Sequence, residues 1–431
     1  MKENVGWKKV NDKSFLYITE NDAKVLDNFR SIIFDGMADL VPGTSSDDTF
    51  SQDDTDPELI FLDFSRSLDR LATCGDYGFI VYKTRDDETP HIIYEMCRRP
   101  MQKLVNDVVL VECFSPIHKF AVVLGKHPHA LHFYDASMSV STGTSHFPER
   151  ILSVRSCSTV IAVGLENEIQ CFCIYMDNYE NLETYIRVVK LPSPTSFSLL
   201  MDLTGEERPH LAYPDSNTTG LVAVHDICAW THSKKLINAH NHPIAALRFN
   251  DDATLLATAS NIATVIRVYA VRKQECLFVF RRGLARTVTV NSMAFSADSR
   301  FLCLTSNTET IHVFKLEGTL PKFLQLEDEL LQKSLEESKP PQPVGWYDYL
   351  AGPTRAAAEY LAPARDFASA TLPEIGNVNI ACLKKINGKL HILAAISSRK
   401  FFAFLVNEEE GGPATLVNSG KLISKVCFHL I

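Results

Sequence analysis

Arg281 and Arg282 stand side by side in the stretch CLFVFRRGLAR at 276–286. A guanidinium is charged at every physiological pH and offers paired N–H donors, which suits it to phosphate. The doublet sits in a basic neighbourhood. Between 264 and 300 the cations are Arg267, Arg272, Lys273, Arg281, Arg282, Arg286 and Arg300, and the acids are Glu275 and Asp298. Downstream, Ser306, Thr308, Thr310 and His312 recur at alternate positions and would share one strand face. They offer small hydroxyls and an imidazole to phosphate or sugar oxygens. The chemistry of such a set is anion recognition. No GxSxG, P-loop, HExxH or kinase motif accompanies it, so no enzyme activity is expected.

The elements that position these residues read as strands. Leu277–Phe280 looks like a buried strand that ends in the doublet. Side chains alternate across a strand, so adjacent arginines point to opposite sides and predict two anion sites. Gly283 allows a sharp turn after them. The simpler reading of the doublet alone is a solvated strand end.

A repeat organises the rest. Residues 60–83, 246–270 and 293–315 each read as an apolar strand, a polar turn, a strand of small residues, another turn, and an alternating third strand. Phe64, Phe249 and Phe295 hold the same place in the three units, the last two 46 residues apart. Looser copies run through 106–135 and 150–175, and two more fit at about 195–239 and 377–425. Short strands in fours, repeated about every 45 residues, predict an all-β, seven-bladed β-propeller over 58–431. The Trp-Asp dipeptide is missing, so the propeller is of a divergent WD40 type. A pair of β-sandwiches is the alternative. Residues 1–57 form an N-terminal extension, and its acidic stretch TSSDDTFSQDDTDPE is expected to be disordered. Residues 317–371 form a long loop inserted in blade 6.

The chain has 431 residues, 45% hydrophobic and 22% charged, with net charge −9. That is globular composition. An acidic chain is a poor general binder of nucleic acid, so none is expected as partner and any anion site must be a local basic patch. No apolar run approaches the roughly 18 residues that span a bilayer. The N-terminal MKENVGWKKVNDKSF lacks the apolar core of a secretory signal. The 11 cysteines are scattered without a CxxC pair. Reduced buried thiols are expected, with no metal site and no cofactor.

FRRG followed by SNTETIHVFKLE resembles the PROPPINs, β-propellers that bind polyphosphoinositides, and is most similar to their WIPI branch in autophagy. HLAYPDSNTTG at 210–220, ATASNIATVIRV at 257–268 and the aromatic insertion before ASATLP extend the likeness over about 58–425. It is specific in 205–315 and weak in 85–190. The resemblance implies two lipid headgroup pockets on the rim, flanking the arginine pair. Carried over residue by residue, the first takes His240, Thr258, Ser260, Thr264, Arg267 and Arg281. The second takes Arg282, Ser306, Thr308, Thr310 and His312. His240 lies in AHNH, which also resembles the structural histidine of WD repeats. Thr258 and Ser260 also fit a strand that simply needs small side chains. Ala263 stands where close relatives have glycine.

Inside the insertion, Trp346, Tyr347, Tyr349 and Leu350 suit the headgroup boundary. Tyr360 and Leu361 continue a helical spacing that Pro353 and Pro363 confine to about 354–362. These six residues are the expected membrane-inserting set, although a stripe packed on its own domain gives the same pattern. Two weak pockets and an inserted segment multiply through effective concentration.

The expected protein is a non-catalytic effector of phosphatidylinositol 3-phosphate or the 3,5-bisphosphate. It would dock on phosphoinositide-containing membranes and recruit autophagy machinery during autophagosome formation. A cytoplasmic monomer is expected, recruited peripherally to autophagosome precursors and endosomes. The resemblance implies that blades 2 and 3 contact the lipid-transfer or conjugation machinery, and Arg98, Arg99 and Lys103 form a small basic cluster there. Two alternatives stand beside this reading. One is a protein-interaction scaffold with a degenerate lipid site. The other is a hydrolase-type propeller, which needs acids and histidines gathered on the inner strands, and the sequence alone assembles no such cluster.

Overall fold

In the computed structural model the chain divides between Thr55 and Asp56. The residues described are 59–75, 78–84, 90–97, 108–114, 119–135, 140–173, 191–192, 200–205, 208–227, 234–282, 288–317 and 365–422. The expected extension 1–57, the basic cluster Arg98, Arg99 and Lys103, Gly283, and the insertion residues Trp346, Tyr347, Tyr349, Leu350, Tyr360 and Leu361 lie outside them.

The described residues form seven antiparallel sheets. Blade 1 lies between Phe61 and Cys97, blade 2 between Val108 and His146, blade 3 between Ser153 and Pro192, and blade 4 between Asp202 and His240. Blade 5 comprises Ile244–Phe249, Leu255–Ser260, Val265–Ala270 and Glu275–Arg281. Blade 6 comprises Val290–Phe295, Phe301–Ser306, Thr310–Lys315 and Ala368–Thr371. Blade 7 comprises Asn379–Ile386, Lys389–Ile396, Lys400–Leu405 and Thr415–Lys421. In every blade the four strands neighbour one another in sequence order. Gly412–Pro413 adds a short parallel fifth strand to blade 6. The ring closes between blades 7 and 1, where the Leu59 N–H donates to the Ser397 carbonyl at 2.9 Å.

Each second strand is sandwiched between neighbouring blades and is therefore apolar on both faces. RLATCG, LLATAS and FLCLTS are buried at every position. Burial on both faces replaces alternation with continuous apolar or small residues. Interiors at crystal-like density leave no room for larger side chains there.

The polar turn after the first strand recurs in atomic detail. Leu68, Ala253 and Ser299 all have positive φ, at 55°, 60° and 55°. Each donates its N–H three residues back, to Ser65, Asn250 and Ser296. Those three in turn donate to Arg70, Leu255 and Phe301. One backbone turn is thus built three times from different side chains.

Two expectations need correction. Leu277–Phe280 is not a buried strand. It lies in the outermost strand of blade 5, half-buried at 276–279, with Phe280 alone fully covered. Phe280 stacks on Phe314 of blade 6 at 4.8 Å, which welds the two blades. The insertion also ends earlier than 371, because Ala368–Thr371 is the fourth strand of blade 6.

Candidate functional site

The second and third strands of blade 5 meet in the turn 261–264, and the same turn in blade 6 spans 307–309. Arg281 ends the outer strand of blade 5 at the same end of the sheet, opposite Val265. Arg282 follows it on the way to blade 6. The arginine pair therefore occupies the link between the two turns.

Arg281 is exposed, and among the described residues its guanidinium has no hydrogen-bond or ion-pair partner. Arg282 is half-buried and folds back on its own blade. Its N–H donates to the Thr264 carbonyl and its Nε to the Ala263 carbonyl, both at 3.0 Å. Ala263 sits buried at φ +53°, in the left-handed region that glycine adopts freely. That position explains why glycine suits this turn.

On the blade 5 side, Arg267 lies opposite Thr258 across the sheet. Its Nη1 donates to the Ala239 carbonyl at 2.7 Å and to His240 Nδ1 at 3.0 Å. With Nδ1 accepting, Nε2 carries the proton and donates to Thr258 Oγ1 at 3.0 Å. The Thr258 hydroxyl donates onward to the Arg267 carbonyl at 3.3 Å. The loop closes on itself, so both nitrogens of the buried His240 ring are engaged within the protein. Burial and the Arg267 charge push His240 down to about 4, so the ring is neutral near pH 7. Its contribution here is to orient Arg267. Ser260 is buried at the strand end and Thr264 is half-buried in the turn.

On the blade 6 side, the expected single strand face does not exist. Ser306 ends one strand, Thr308 lies in the turn, and Thr310 and His312 belong to the next strand. The residues still converge, because the hairpin folds them together. The Ser306 and Thr308 hydroxyls meet at 2.9 Å. His312 lies opposite Leu304, which is the place Arg267 holds opposite Thr258 in blade 5. Its ring stacks on Phe314 at 6.3 Å, and its Nδ1 meets Asp366 Oδ2 at 2.8 Å. Asp366 escaped the sequence reading because it lies 54 residues away, across the insertion.

The sequence reading also missed a charged hub at the centre of the ring. Arg66 of blade 1 reaches Asp202 of blade 4 at 2.5 Å and the Phe249 carbonyl of blade 5 at 2.9 Å. Arg248 of blade 5 approaches the same Asp202 at 3.5 Å. Burial opposes the charge of Asp202, yet Arg66, Arg248 and the Phe249 N–H hold its carboxyl below the usual range. Arg155 of blade 3 reaches Asp63 of blade 1 at 2.9 Å and Glu112 of blade 2 at 3.6 Å. Burial pushes Glu112 up to about 7 against the pull of Arg155. The central cavity is lined by Arg66, Arg155 and Arg248 against Asp63, Glu112 and Asp202, with no histidine in its lining. Acids do gather on the inner strands, but they pair with arginines that join blades 1 to 5. Among the described residues no group of three or more His, Cys, Asp or Glu side chains is arranged for a metal.

A family model described as PROPPIN matches residues 100–423. The chain is 31% identical over 379 residues to autophagy-related protein 18 of Caenorhabditis elegans, covering 86% of this chain and 87% of that one. It is 30% identical over 380 residues to WD repeat domain phosphoinositide-interacting protein 1 of Homo sapiens, covering 85% and 77%. Among solved structures, Hsv2 of Kluyveromyces lactis superposes with a TM-score of 0.64 at 16% identity, covering 85% of this chain and 100% of that one. That last likeness speaks to the fold, a seven-bladed propeller.

Proposed function

The chain belongs to the PROPPIN family, and on that premise we propose that it is a phosphoinositide effector in autophagy. It reads phosphatidylinositol 3-phosphate, or the 3,5-bisphosphate, through two rim pockets on either side of Arg281 and Arg282. The observation that carries the reading is the exposed guanidinium of Arg281, unpartnered among the described residues, beside the half-buried Arg282 and between two hydroxyl-bearing turns. An exposed cation in a basic stretch of an otherwise acidic chain gives a local attraction for anions. The relatives' names, autophagy-related and phosphoinositide-interacting, support the same reading.

In mechanism, Arg281 and Arg267 supply charge and paired donors to the first headgroup, with Thr258, Ser260 and Thr264 around them. Arg282, Ser306, Thr308, Thr310 and His312 serve the second. The aromatic set Trp346, Tyr347, Tyr349, Leu350, Tyr360 and Leu361 supplies a third, apolar contact, proposed from sequence alone. Three weak contacts on one chain add to firm peripheral attachment. Docked in this way on autophagosome precursors and endosomes, the propeller recruits lipid-transfer or conjugation machinery through blades 2 and 3. Nothing in this scheme calls for catalysis.

One observation favours the scaffold reading as a second role. Ile60 and Ile375 are 52% and 50% exposed, and Val378 is 36% exposed. The Ser397 backbone bonds to Val378 and to Leu59, the chain neighbour of Ile60, and Gly376, the chain neighbour of Ile375, packs close to Ser397. Exposed apolar clusters mark protein contacts. Flotation with vesicles separates the two readings. Wild type should float with vesicles containing phosphatidylinositol 3-phosphate and not with plain phosphatidylcholine. The folded variant Arg281→Thr with Arg282→Thr should stay at the bottom of the gradient. If both float equally, or neither floats, the lipid reading fails and the scaffold reading takes its place.

A further inference from the structure

The residue that orients the blade 6 histidine lies where the insertion rejoins the sheet. Asp366 Oδ2 stands 2.8 Å from His312 Nδ1. A carboxylate only accepts hydrogen bonds, so Nδ1 carries the proton. Phe314 fixes the ring plane by stacking at 18°. The Phe367 N–H donates to the Val313 carbonyl at 2.8 Å, which anchors Asp366 beside the strand. The His312 side chain is 12% exposed and that of Asp366 is 30% exposed. Among the described residues, Nε2 has no partner. Blade 5 offers the contrast of a histidine with no free nitrogen, since His240 uses both inside the protein.

We propose that Asp366 is a positioning residue of the blade 6 pocket: it holds His312 with Nε2 turned toward the incoming phosphate or inositol hydroxyl. The inference rests on the two-pocket reading above. In the neutral ring Nε2 accepts from a hydroxyl, and in the protonated ring it donates to a phosphate oxygen. Both uses need the same ring orientation, and the Asp366 carboxylate supplies it from the far side of the ring.

The test is binding to phosphatidylcholine vesicles carrying phosphatidylinositol 3-phosphate, with a melting curve for every variant. Asp366→Ala should weaken binding about fivefold, the loss of one oriented hydrogen bond. Asp366→Asn keeps an oxygen beside Nδ1 and should bind within about twofold of wild type. In a His312→Ala background, Asp366→Ala should have no further effect, because the two residues act as a unit. The inference is overturned if Asp366→Ala binds like wild type, if Asn fails to rescue, or if the two losses simply add. Should Asp366→Ala unfold, the Asn variant alone and in the His312→Ala background still decides. If wild type itself ignores the lipid, the two-pocket reading falls and takes this inference with it. If binding depends on Arg281 and Arg282 but not on Asp366, this inference alone falls.

Discussion

Blades 5 and 6 build the same hairpin and furnish it differently. In blade 5 the position opposite the second strand holds Arg267, tied to a carbonyl and a histidine of the preceding blade. In blade 6 the same position holds His312, tied to an aspartate that enters its own blade's fourth strand. The first arrangement joins two blades and keeps its histidine neutral and covered. The second keeps its partners within one blade and, among the described residues, leaves a ring nitrogen unused. One backbone can therefore present a fixed cation on one side of the arginine pair and an oriented imidazole on the other.

The comparison breaks most completely if both arginines are removed. Arg281→Thr with Arg282→Thr should lower affinity for phosphoinositide vesicles at least about a hundredfold, because two charge-assisted sites are lost at once. Flotation at a series of protein concentrations reads this.

The hub supplies a control remote from both pockets. The folded value of Glu112, about 7, stands above that of an unfolded carboxylate. Its contribution to stability is full below about pH 4 and is lost as pH rises through 7, by about 3 kcal/mol. Glu112→Gln should flatten the fall in melting temperature between pH 5 and 8, with lipid binding unchanged. An equally steep fall in the variant would remove Glu112 from the account.

The two histidines should separate stability from binding. His240→Ala breaks a closed, buried hydrogen-bond loop and should cost about 1 to 2 kcal/mol of stability. His312→Ala, which removes a single hydrogen bond and a stacking contact from a partly exposed ring, should cost less stability than His240→Ala and weaken binding more. The sign with pH follows from the depressed value of about 4. The His240 contribution is full above about pH 6.5 and lost as pH falls toward 4. The melting-temperature gap between wild type and His240→Ala should therefore narrow on acidification.

The smallest effect is expected at Ala263. Glycine would relieve the positive φ, worth about 1 kcal/mol, and would lose a buried methyl, worth about 0.8 kcal/mol. Ala263→Gly should change stability by less than about 0.5 kcal/mol and leave binding intact. A large loss of binding would show that the turn geometry itself is read.

The ring was legible where its units are most regular. FSRSLDRL, FNDDATLL and FSADSRFL announce the same turn, although no glycine marks its positive-φ residue. The arginine doublet was legible because two adjacent cations in an acidic chain are conspicuous. What stayed hidden depends on chain separation or on local bending. The run Ser306 to His312 alternates as a strand would, and only the structure shows that it breaks after Ser306. Leu277–Phe280 reads as core because apolar runs do not distinguish a buried strand from an outer one that packs on the next blade. Asp366, Arg66 and Arg155 find partners 54, 136 and 92 residues away, and no local pattern reports such meetings.

The central claim is that one chain holds two headgroups, one on each side of the arginine pair. Calorimetric titration with a soluble inositol 1,3-bisphosphate headgroup counts them. Two equivalents per chain in wild type, and one in each of Arg281→Thr and Arg282→Thr, is the predicted result. One equivalent in wild type, or none, would contradict it.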